Sequence, residues 1–260
     1  MSHSLNAAFH VHSIHSDGIY LPSFIVRHAK ALDIKILSIT DHNEIRGTLS
    51  AFRLAKKYDL FYFPGIELMF RIKGRVYELL AYFYDEDSIL DFYSEYRFKN
   101  GFMPHFNSVS DVINLVRKHN GAIIAPHPYG RKGIYRRNRH SQIKVDAIEI
   151  INGFTGDQRN LKAINHKREG ETINIASSDM HFFIRDIART YTEVKGEKIT
   201  RKKIWDNLLS LSKDLDFIPR GDNFPQHKIS IQKPLCGVSY VLSYPKLYLS
   251  YRLGKMLKKH

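Results

Sequence analysis

The sequence is poor in cysteine and has no long apolar run. Cys236 is the only cysteine among 260 residues, so an intrachain disulfide is excluded and disulfide-stabilised folds do not apply. No apolar stretch approaches the roughly 20 residues that a transmembrane helix needs. The first residues also lack the basic start and apolar region of a secretory signal. We therefore expect a cytoplasmic protein without a transmembrane segment.

Two common catalytic motifs are absent as well. The chain contains neither the Gly-x-x-x-x-Gly-Lys-Ser/Thr loop of P-loop nucleotide hydrolases nor a Gly-x-Ser-x-Gly nucleophile elbow. Cys236 lies far along the chain from every candidate base, so a cysteine nucleophile is not expected. The chemistry must come from other side chains, and 14 histidines are available.

Acidic residues are too few to balance the basic ones. The formal net charge is +14, which favours anionic partners such as phosphorylated metabolites, nucleic acid or an anionic membrane surface. Residues 223–260 contain no Asp or Glu but seven Lys or Arg and four regularly spaced tyrosines. We predict a main domain over residues 1–222 and a basic, aromatic segment over 223–260. This segment packs on the main domain, lies on an anionic membrane or grips nucleic acid, and these alternatives stay open.

Strand and helix patterns alternate along the main domain. Apolar runs that predict strands lie at residues 7–11, 34–39, 60–63, 75–84, 122–125, 147–151 and 172–176. Helical periodicity follows most of them, as at residues 22–32, 44–58, 109–119 and 157–168. Residues 68–72 are a further strand candidate, paired with 75–84 across Lys73-Gly74. About seven alternations predict a parallel α/β barrel, whose active site lies at the carboxyl ends of the strands.

Histidines and carboxylates recur where predicted strands end. They form the sequences His10-Val11-His12, Asp17-Gly18, Thr40-Asp41-His42, Glu67, Pro126-His127-Pro128 and Asp179-Met180-His181. Residues i and i+2 of a strand face the same way, so His10 and His12 can reach one ion. Taken alone, single motifs have simpler explanations, such as a turn at Asp17 or a helix cap at Asp41. Together they predict a metal site with N and O ligands, suited to Zn²⁺, Mn²⁺ or Fe²⁺.

The ordered set of these motifs, over residues 5–195, closely resembles the polymerase and histidinol phosphatase (PHP) family. The resemblance implies a distorted TIM-like barrel of seven βα units and a site for three metal ions. The implied ligands of the three ions are, in turn, His10, His12, Glu67 and Asp179; Glu67 again, as a bridge, with His127; and Asp17, His42 and His181.

One position departs from the family pattern. Where the family usually has a histidine in the strand after the bridging glutamate, this sequence has Glu78. A carboxylate still binds metal ions, and its charge shifts the preference toward Mn²⁺, Fe²⁺ or Mg²⁺ over Zn²⁺. We therefore expect Glu78 as a further ligand and two or three bound ions. The alternative is that Glu78 turns away and pairs with a Lys or Arg.

The expected reaction is hydrolysis of phosphate esters. Two close ions lower the pKa of a bridging water, so that hydroxide is the nucleophile near neutral pH. The candidate catalytic residues are His127, Asp179 and His181, and one of the two histidines assists proton transfer. Basic side chains follow both histidines and are candidate phosphate contacts, because the Arg fork binds phosphate in a bidentate manner. The strongest candidates are Arg131, Arg136, Arg185 and Arg189, and the loop after His127 also carries Lys132, Arg137, Arg139 and His140.

Three functions are compatible with these features. The leading hypothesis is a phosphomonoesterase that acts on a small phosphorylated metabolite or a nucleotide. The second is an exonuclease or oligonucleotide phosphodiesterase, which the net charge favours. The third is a non-catalytic, metal-stabilised binding module, for which Glu78 is the only support.

Overall fold

The computed structural model describes residues 2–98, 103–136, 143–165 and 172–221. The predicted basic segment 223–260 lies outside these residues, as do Arg137, Arg139 and His140. Within the described ranges, no helix combines the length and the apolar character that crossing a membrane requires.

Ten strands and six α-helices make up the described part of the chain. The strands are β1 (His3–Ala8), β2 (Ile34–Leu37), β3 (Phe61–Tyr62), β4 (Gly65–Ile72), β5 (Arg75–Tyr82), β6 (Ala122–Ala125), β7 (Ala147–Asn152), β8 (Ile173–Ser177), β9 (Thr190–Gly196) and β10 (Asp216–Gly221). The α-helices are α1 (Pro22–Ala31), α2 (Arg46–Ala55), α3 (Glu86–Phe98), α4 (Val109–Lys118), α5 (Asp157–Asn165) and α6 (Arg201–Leu208). Short 3-10 helices are also present at Lys56–Tyr58 and Ile184–Ala188.

The described strands form two mixed five-stranded sheets. The first has the order β10-β9-β1-β2-β3, in which β1, β2 and β3 are parallel and β9 is antiparallel to both of its neighbours. The second has the order β4-β5-β6-β7-β8, in which β5 is antiparallel to both neighbours and β6, β7 and β8 are parallel. The predicted α/β class is therefore confirmed.

The expected closed barrel of seven βα units is not confirmed, because several connections are not βα units. β4 and β5 form a hairpin in which Leu68 lies opposite Leu79, as predicted, and its turn residues Lys73 and Gly74 have φ values of 48° and 77°. β9 runs antiparallel to β1. An apolar run identifies a strand but not its direction, so alternation along the sequence overstates the number of parallel units.

The two sheets are joined through contacts that are not regular strand pairing. The Thr192 side chain links β9 to β8 where the two described strands have no backbone pairing. Its Oγ1 accepts a hydrogen bond from the Ala176 N–H at 3.0 Å and donates one to the Ala176 carbonyl at 2.9 Å. His42, beyond β2, forms an isolated parallel bridge with Glu67 on β4. These contacts bring the carboxyl ends of strands from both sheets to one place.

Apolar packing fixes these strand ends. Helix α4 begins with a capping box between Ser108 and Asp111 and buries Val112 and Val116 on one face, as its helical spacing predicts. Full burial of one such side chain stabilises the fold by about 1.5 to 3 kcal/mol. On α6, Trp205 stacks on Phe63 with 5.6 Å between ring centroids. Rigid packing of this kind lets the polar side chains at the strand ends keep defined positions.

Candidate metal centre

Eight ionisable side chains converge where the carboxyl ends of β1, β2, β6 and β8 meet the first residues of β4, and all of them except His127 are buried. His127 is nearly so, with 11% of its side chain exposed. These eight residues are the predicted ligands other than Glu78, namely His10, His12, Asp17, His42, Glu67, His127, Asp179 and His181. They arrive from β1, β2, β4, β6 and β8 or from the loops that follow these strands.

Glu67 lies at the middle of this convergence and contacts imidazoles with both carboxylate oxygens. Its Oε2 lies 3.3 Å from His10 Nε2, 3.2 Å from His12 Nε2 and 3.0 Å from His42 Nδ1. Its Oε1 lies 3.3 Å from His127 Nε2. A carboxylate whose oxygens face different imidazoles has the geometry of a bridge between two cation positions.

Asp179 approaches the same two imidazoles from β8. Its Oδ1 lies 3.3 Å from the Nε2 atoms of both His10 and His12, which are themselves 3.1 Å apart. We call His10, His12, Glu67 and Asp179 the floor of the site. Their nitrogen and oxygen atoms all point into one small volume, as ligands of a shared cation do.

Asp17 forms a second centre of contacts beside the floor. Its Oδ1 lies 3.3 Å from His181 Nε2, and its Oδ2 lies 3.5 Å from His42 Nε2. The loop that carries Asp17 is held by Asp41, which accepts hydrogen bonds from the Ser13 N–H and the Ser16 hydroxyl, both at 2.7 Å. The alternative role of Asp41 as a helix cap is wrong, because the N-cap residue of α2 is Ile45 and Asp41 binds the loop of residues 13–16 instead.

Four sets of side chains among the described residues have donor atoms close enough to hold a metal ion, with one ligand atom per residue lying within 4.8 Å of the others. The sets are His12, Asp17, His42 and His181; His10, His12 and Glu67; His10, His127 and Asp179; and His42, Glu67 and Glu78. Imidazole nitrogens and carboxylate oxygens are ligands that Mn²⁺, Fe²⁺ and Zn²⁺ share. The residues present therefore fit divalent ions.

The electrostatic field of the site favours positive charge. Burial lowers the pKa of His10, but the charges of Asp179 and Glu67 outweigh burial and hold that pKa well above its usual value. Burial also lowers the pKa of His127, yet its hydrogen bond with Glu67 and the nearby carboxylates raise it to about 9. Burial raises the pKa of Asp179, but the charge of His10 outweighs it and holds that pKa far below its usual range. A buried site that stabilises cations in this way suits metal binding.

Two of the converging residues have a left-handed backbone. The φ value is 28° at His127 and 52° at Asp179. Such a conformation costs a non-glycine residue roughly 1 to 3 kcal/mol and persists only when the surroundings fix it. Pro126 and Pro128 flank His127 and restrict its neighbours, as the sequence indicates. Strain at two ligand positions is typical of a functional site.

Glu149 is a site residue that the motifs missed. It lies on β7 and is fully buried. Its Oε1 is 3.2 Å from His10 Nδ1, and its Oε2 accepts hydrogen bonds from the His127 N–H and the Asn152 amide, both at 2.7 Å. A carboxylate at Nδ1 fixes the imidazole tautomer that presents Nε2 to a cation. The available signal is a charged residue within an otherwise apolar strand, which burial disfavours unless it is paired.

Glu78 combines the two alternatives that the sequence leaves open. Its Oε2 lies 3.7 Å from His127 Nε2, at the edge of the convergence, while its Oε1 lies 2.5 Å from Lys132 Nζ. Burial lowers the pKa of Lys132, but the charge of Glu78 outweighs it and raises that pKa above its usual value. The lysine is therefore a cation paired with the predicted ligand.

The convergence opens into a cavity of 510 Å³. One part of the cavity wall is basic, with Arg131, Lys132 and Arg159. Another part is apolar and includes Met69 and Phe154. We call Arg131, Lys132, Phe154 and Arg159 the rim of the site. A small molecule with an anionic end and an apolar or aromatic end matches this division.

The predicted phosphate contacts differ in their distance from this cavity. Arg131 lines it, whereas Arg136, Arg185 and Arg189 are exposed and are not part of its lining. Arg189 lies 3.5 Å from Asp186, in an ion pair on its own 3-10 helix. Arg159, on α5, lines the cavity although no motif singles it out. Whether a basic residue lines the cavity therefore depends on its position in the fold more than on its distance from a histidine along the sequence.

Comparison with known proteins places the chain among PHP proteins. The model of the PHP domain matches residues 8–215. An uncharacterized protein from Methanocaldococcus jannaschii is 26% identical over 164 residues, which cover 59% of this chain and 85% of that protein.

Solved structures resemble this chain at low sequence identity. A two-domain protein from Bacteroides vulgatus, containing a predicted PHP-like metal-dependent phosphoesterase, has a TM-score of 0.59 at 19% identity over 80% of this chain and 63% of that one. An amidohydrolase from Chromobacterium violaceum has a TM-score of 0.58 at 16% identity over 79% of this chain and 96% of that one. The lesion-specific endonuclease of Pyrococcus furiosus has a TM-score of 0.59 at 13% identity over 83% of this chain and 58% of that one. These likenesses establish the fold, and the chain spans less than two thirds of the Bacteroides and Pyrococcus proteins.

Proposed function

The chain belongs to the PHP domain family, and from that premise we propose that it is a metal-dependent hydrolase of phosphate monoesters. The observation that carries the proposal is the convergence of eight imidazole and carboxylate side chains on a cavity with a basic wall. Burial of ionisable groups is costly, so a site without chemistry has no physical need for so many of them. A non-catalytic, metal-stabilised binding module therefore ranks last among the candidates.

The centre would hold two or three divalent ions of Mn, Fe or Zn, and Mg²⁺ is also suitable. Bound there, such ions lower the pKa of the attacking water and neutralise the charge that develops on the phosphate. The proposed ligands are His10, His12, Asp17, His42, Glu67, Glu78, His127, Asp179 and His181. We also propose that the barrel expected from the family is present here in the open form of two joined sheets.

The residues that line the cavity supply orientation and proton transfer. His127, Asp179 and His181 all border it. The Asp179 carbonyl accepts a hydrogen bond from His181 Nδ1 at 2.8 Å. This contact orients the imidazole so that Nε2 faces Asp17. His127 Nε2 faces Glu67 in the same way. We assign proton delivery to the leaving oxygen to whichever of these two histidines does not bind an ion through Nε2, since each lines the cavity and is held in one orientation.

The rim residues select the substrate by contacting its phosphate and its organic part. Arg131 and Arg159 bind the phosphate, because planar guanidinium groups match phosphate oxygens. Phe154 contacts the organic part, and its ring centroid lies 5.0 Å from that of His181. The cavity of 510 Å³ falls within the range of about 300 to 1,000 Å³ that is usual for small-molecule sites. A small phosphorylated metabolite or a mononucleotide fits these features.

An exonuclease or oligonucleotide phosphodiesterase is the second candidate. The net charge of +14 favours it, because a polyanionic strand gains from each nearby basic side chain. Arg136, Arg185 and Arg189 are exposed outside the cavity and would contact additional phosphates of a longer chain. A monoesterase has no use for these outer contacts, so substrate length separates the two activities.

Phosphate release from a panel of phosphomonoesters by Mn²⁺-loaded protein tests the proposal. An Asp179→Ala variant and an Asp206→Ala variant accompany the native protein, since Asp206 pairs only with Lys202 on the surface of α6 in the described contacts. We expect release by the native and Asp206→Ala proteins and none by Asp179→Ala. Release of mononucleotides from oligonucleotides, without free phosphate from the panel, would favour the second candidate. No activity in either assay would contradict both.

Residues 223–260 add a proposal about partners and location. We propose a cytoplasmic enzyme whose basic segment contacts either an anionic membrane surface or nucleic acid. Co-sedimentation with anionic liposomes, compared with retention on immobilised RNA over a range of salt concentrations, distinguishes these partners. If the native protein binds neither liposomes nor RNA at low salt, packing on the main domain remains as the role of the segment.

A further inference from the structure

Lys132 occupies one corner of the metal centre and contacts a predicted ligand directly. Its ammonium nitrogen lies 2.5 Å from Glu78 Oε1 and 3.3 Å from Met69 Sδ. The second oxygen of Glu78 lies 3.7 Å from His127 Nε2. Glu78 also belongs to the set with His42 and Glu67 that could hold a metal ion. A cation of the protein itself is therefore seated where an external cation would share the same carboxylate.

The loop after β6 is shaped to hold Lys132 at this place. The Gly130 N–H donates to the His127 carbonyl at 2.6 Å, and the Gly133 N–H donates to the Gly130 carbonyl at 3.2 Å. A Cβ atom at Gly133 would collide with the backbone of Pro128, so this tight turn requires glycine. The Lys132 carbonyl accepts a hydrogen bond from the Glu78 N–H at 3.1 Å. Backbone and side chain thus fix Lys132 to Glu78 together.

The four candidate sets differ in the charges that surround them. Three sets contain imidazoles and carboxylates without Glu78, whereas the set with Glu78 has an ammonium on one of its carboxylate oxygens. An ammonium is a compact point charge, and like charges repel strongly where water is largely excluded. A divalent ion bound through Glu78 would have to overcome this repulsion or displace the lysine. The remaining three sets are free of this repulsion. Two of them share His10, so together the three sets provide two ion positions, one at the floor and one around Asp17.

We propose that the Lys132 ammonium takes the place of a divalent cation at Glu78, so that the centre holds two ions rather than three. The inference rests on the proposed metal-dependent function, because it concerns the number of ions in that centre. Glu78, which is counted above among the proposed ligands, then holds Lys132 instead of a metal ion. Lys132 in turn supplies one positive charge beside the cavity that is independent of the metal supply.

The metal content of the full chain tests this inference without an activity assay. Protein is saturated with Mn²⁺, freed of excess ion by gel filtration, and its Mn content per chain is measured by mass spectrometry of the element. We expect two ions in native protein and three in Lys132→Met, in which the repelling charge is gone but the backbone contact with Glu78 remains. Lys132→Arg, which keeps the charge, and Arg131→Met, on the same loop, should both retain two.

Variants of Glu78 give an independent check that leaves Lys132 in place. Glu78→Gln should still bind two ions, whereas the double variant Lys132→Met with Glu78→Gln should lose the third ion that Lys132→Met gains. Three ions in native protein, or a loss of one ion in Glu78→Gln, would overturn the inference and leave the metal-dependent function standing. Native protein that binds no Mn²⁺ would overturn the proposed function as well.

Discussion

The floor and the rim of the site differ in how the chain holds them. The floor residues are almost fully buried and contact one another at 3.1 to 3.3 Å. The rim residues come from loops and from α5, and solvent reaches them: 42% of the Lys132 side chain is exposed. A rigid floor suits chemistry that requires fixed charges, whereas a rim of longer side chains suits the choice of substrate. Changes in the floor should therefore act on catalysis and metal binding, and changes in the rim on substrate affinity, except at Lys132, whose contact with Glu78 ties it to metal binding.

The largest effect should come from the floor itself. Glu67→Gln removes the carboxylate that contacts four imidazoles, and we expect kcat/KM for the best phosphomonoester to fall on the order of 10³-fold, the size typical of a lost transition-state stabiliser. Glu95→Gln is the matched control and should retain activity, because Glu95 is a partly exposed residue that pairs with Lys118 and His119 and does not line the cavity. Steady-state kinetics at saturating Mn²⁺ measure both. Equal activity of the two variants would show that Glu67 is not needed for catalysis.

Metal removal should reveal how strongly the floor depends on its cations. Ions that bind only the folded chain stabilise it, so chelation should lower the thermal midpoint. A ligand at 100 times its Kd stabilises a protein by about 2.7 kcal/mol, which corresponds to roughly 5 to 10 °C for a chain of this size. Thermal melts with chelator and with added Mn²⁺ measure the shift. An identical shift in Asp179→Ala would place the responsible ions elsewhere.

A smaller effect should follow from the support beneath the floor. Glu149→Gln weakens the hold on His10 and on the backbone of His127, and we expect metal affinity to drop about 10- to 100-fold, as for other residues that orient a ligand. At saturating metal, kcat should stay within a few-fold of the native value because the ligands themselves remain. Titration calorimetry with Mn²⁺ and parallel kinetics separate the two quantities. Unchanged affinity would mean that Glu149 has no positioning role.

The smallest effect should come from the rim. Arg159→Ala should raise KM about tenfold, equivalent to 1.4 kcal/mol of substrate binding, and leave kcat nearly unchanged. Arg185→Ala, outside the cavity lining, should leave both parameters unchanged for a monoester. A fall in kcat for Arg159→Ala would show that the rim takes part in the chemistry and would blur the distinction from the floor.

The floor could be predicted from the sequence because local patterns encode it. His10 and His12 are two residues apart at a strand end, and Asp179 and His181 have the same spacing, so their side chains reach one region whatever the exact sheet topology. Helical faces such as that of Val112 and Val116 were equally readable from their spacing. The resemblance to the PHP family is confirmed by the match over residues 8–215.

The rest depends on contacts between distant parts of the chain. Strands β9 and β10 were not predicted. The division into two sheets follows from tertiary packing, which an apolar run does not specify. Arg159 reaches the cavity because α5 lies against β7, and Glu149 meets His10 across 139 positions of sequence. The pairing of Glu78 with Lys132 was open at the sequence level, because its outcome depends on a loop turn at Gly133.

Anomalous scattering from crystals of the full chain soaked in Mn²⁺ tests directly whether the site binds metal ions, and where. We expect one anomalous peak among the floor residues and one among Asp17, His42 and His181, each at roughly 2.0 to 2.3 Å from its ligand atoms. We expect no peak between Glu78 and Lys132. Absence of any peak at the floor would contradict the proposed metal-dependent function, whereas a third peak bound by Glu78 would contradict only the role given to Lys132.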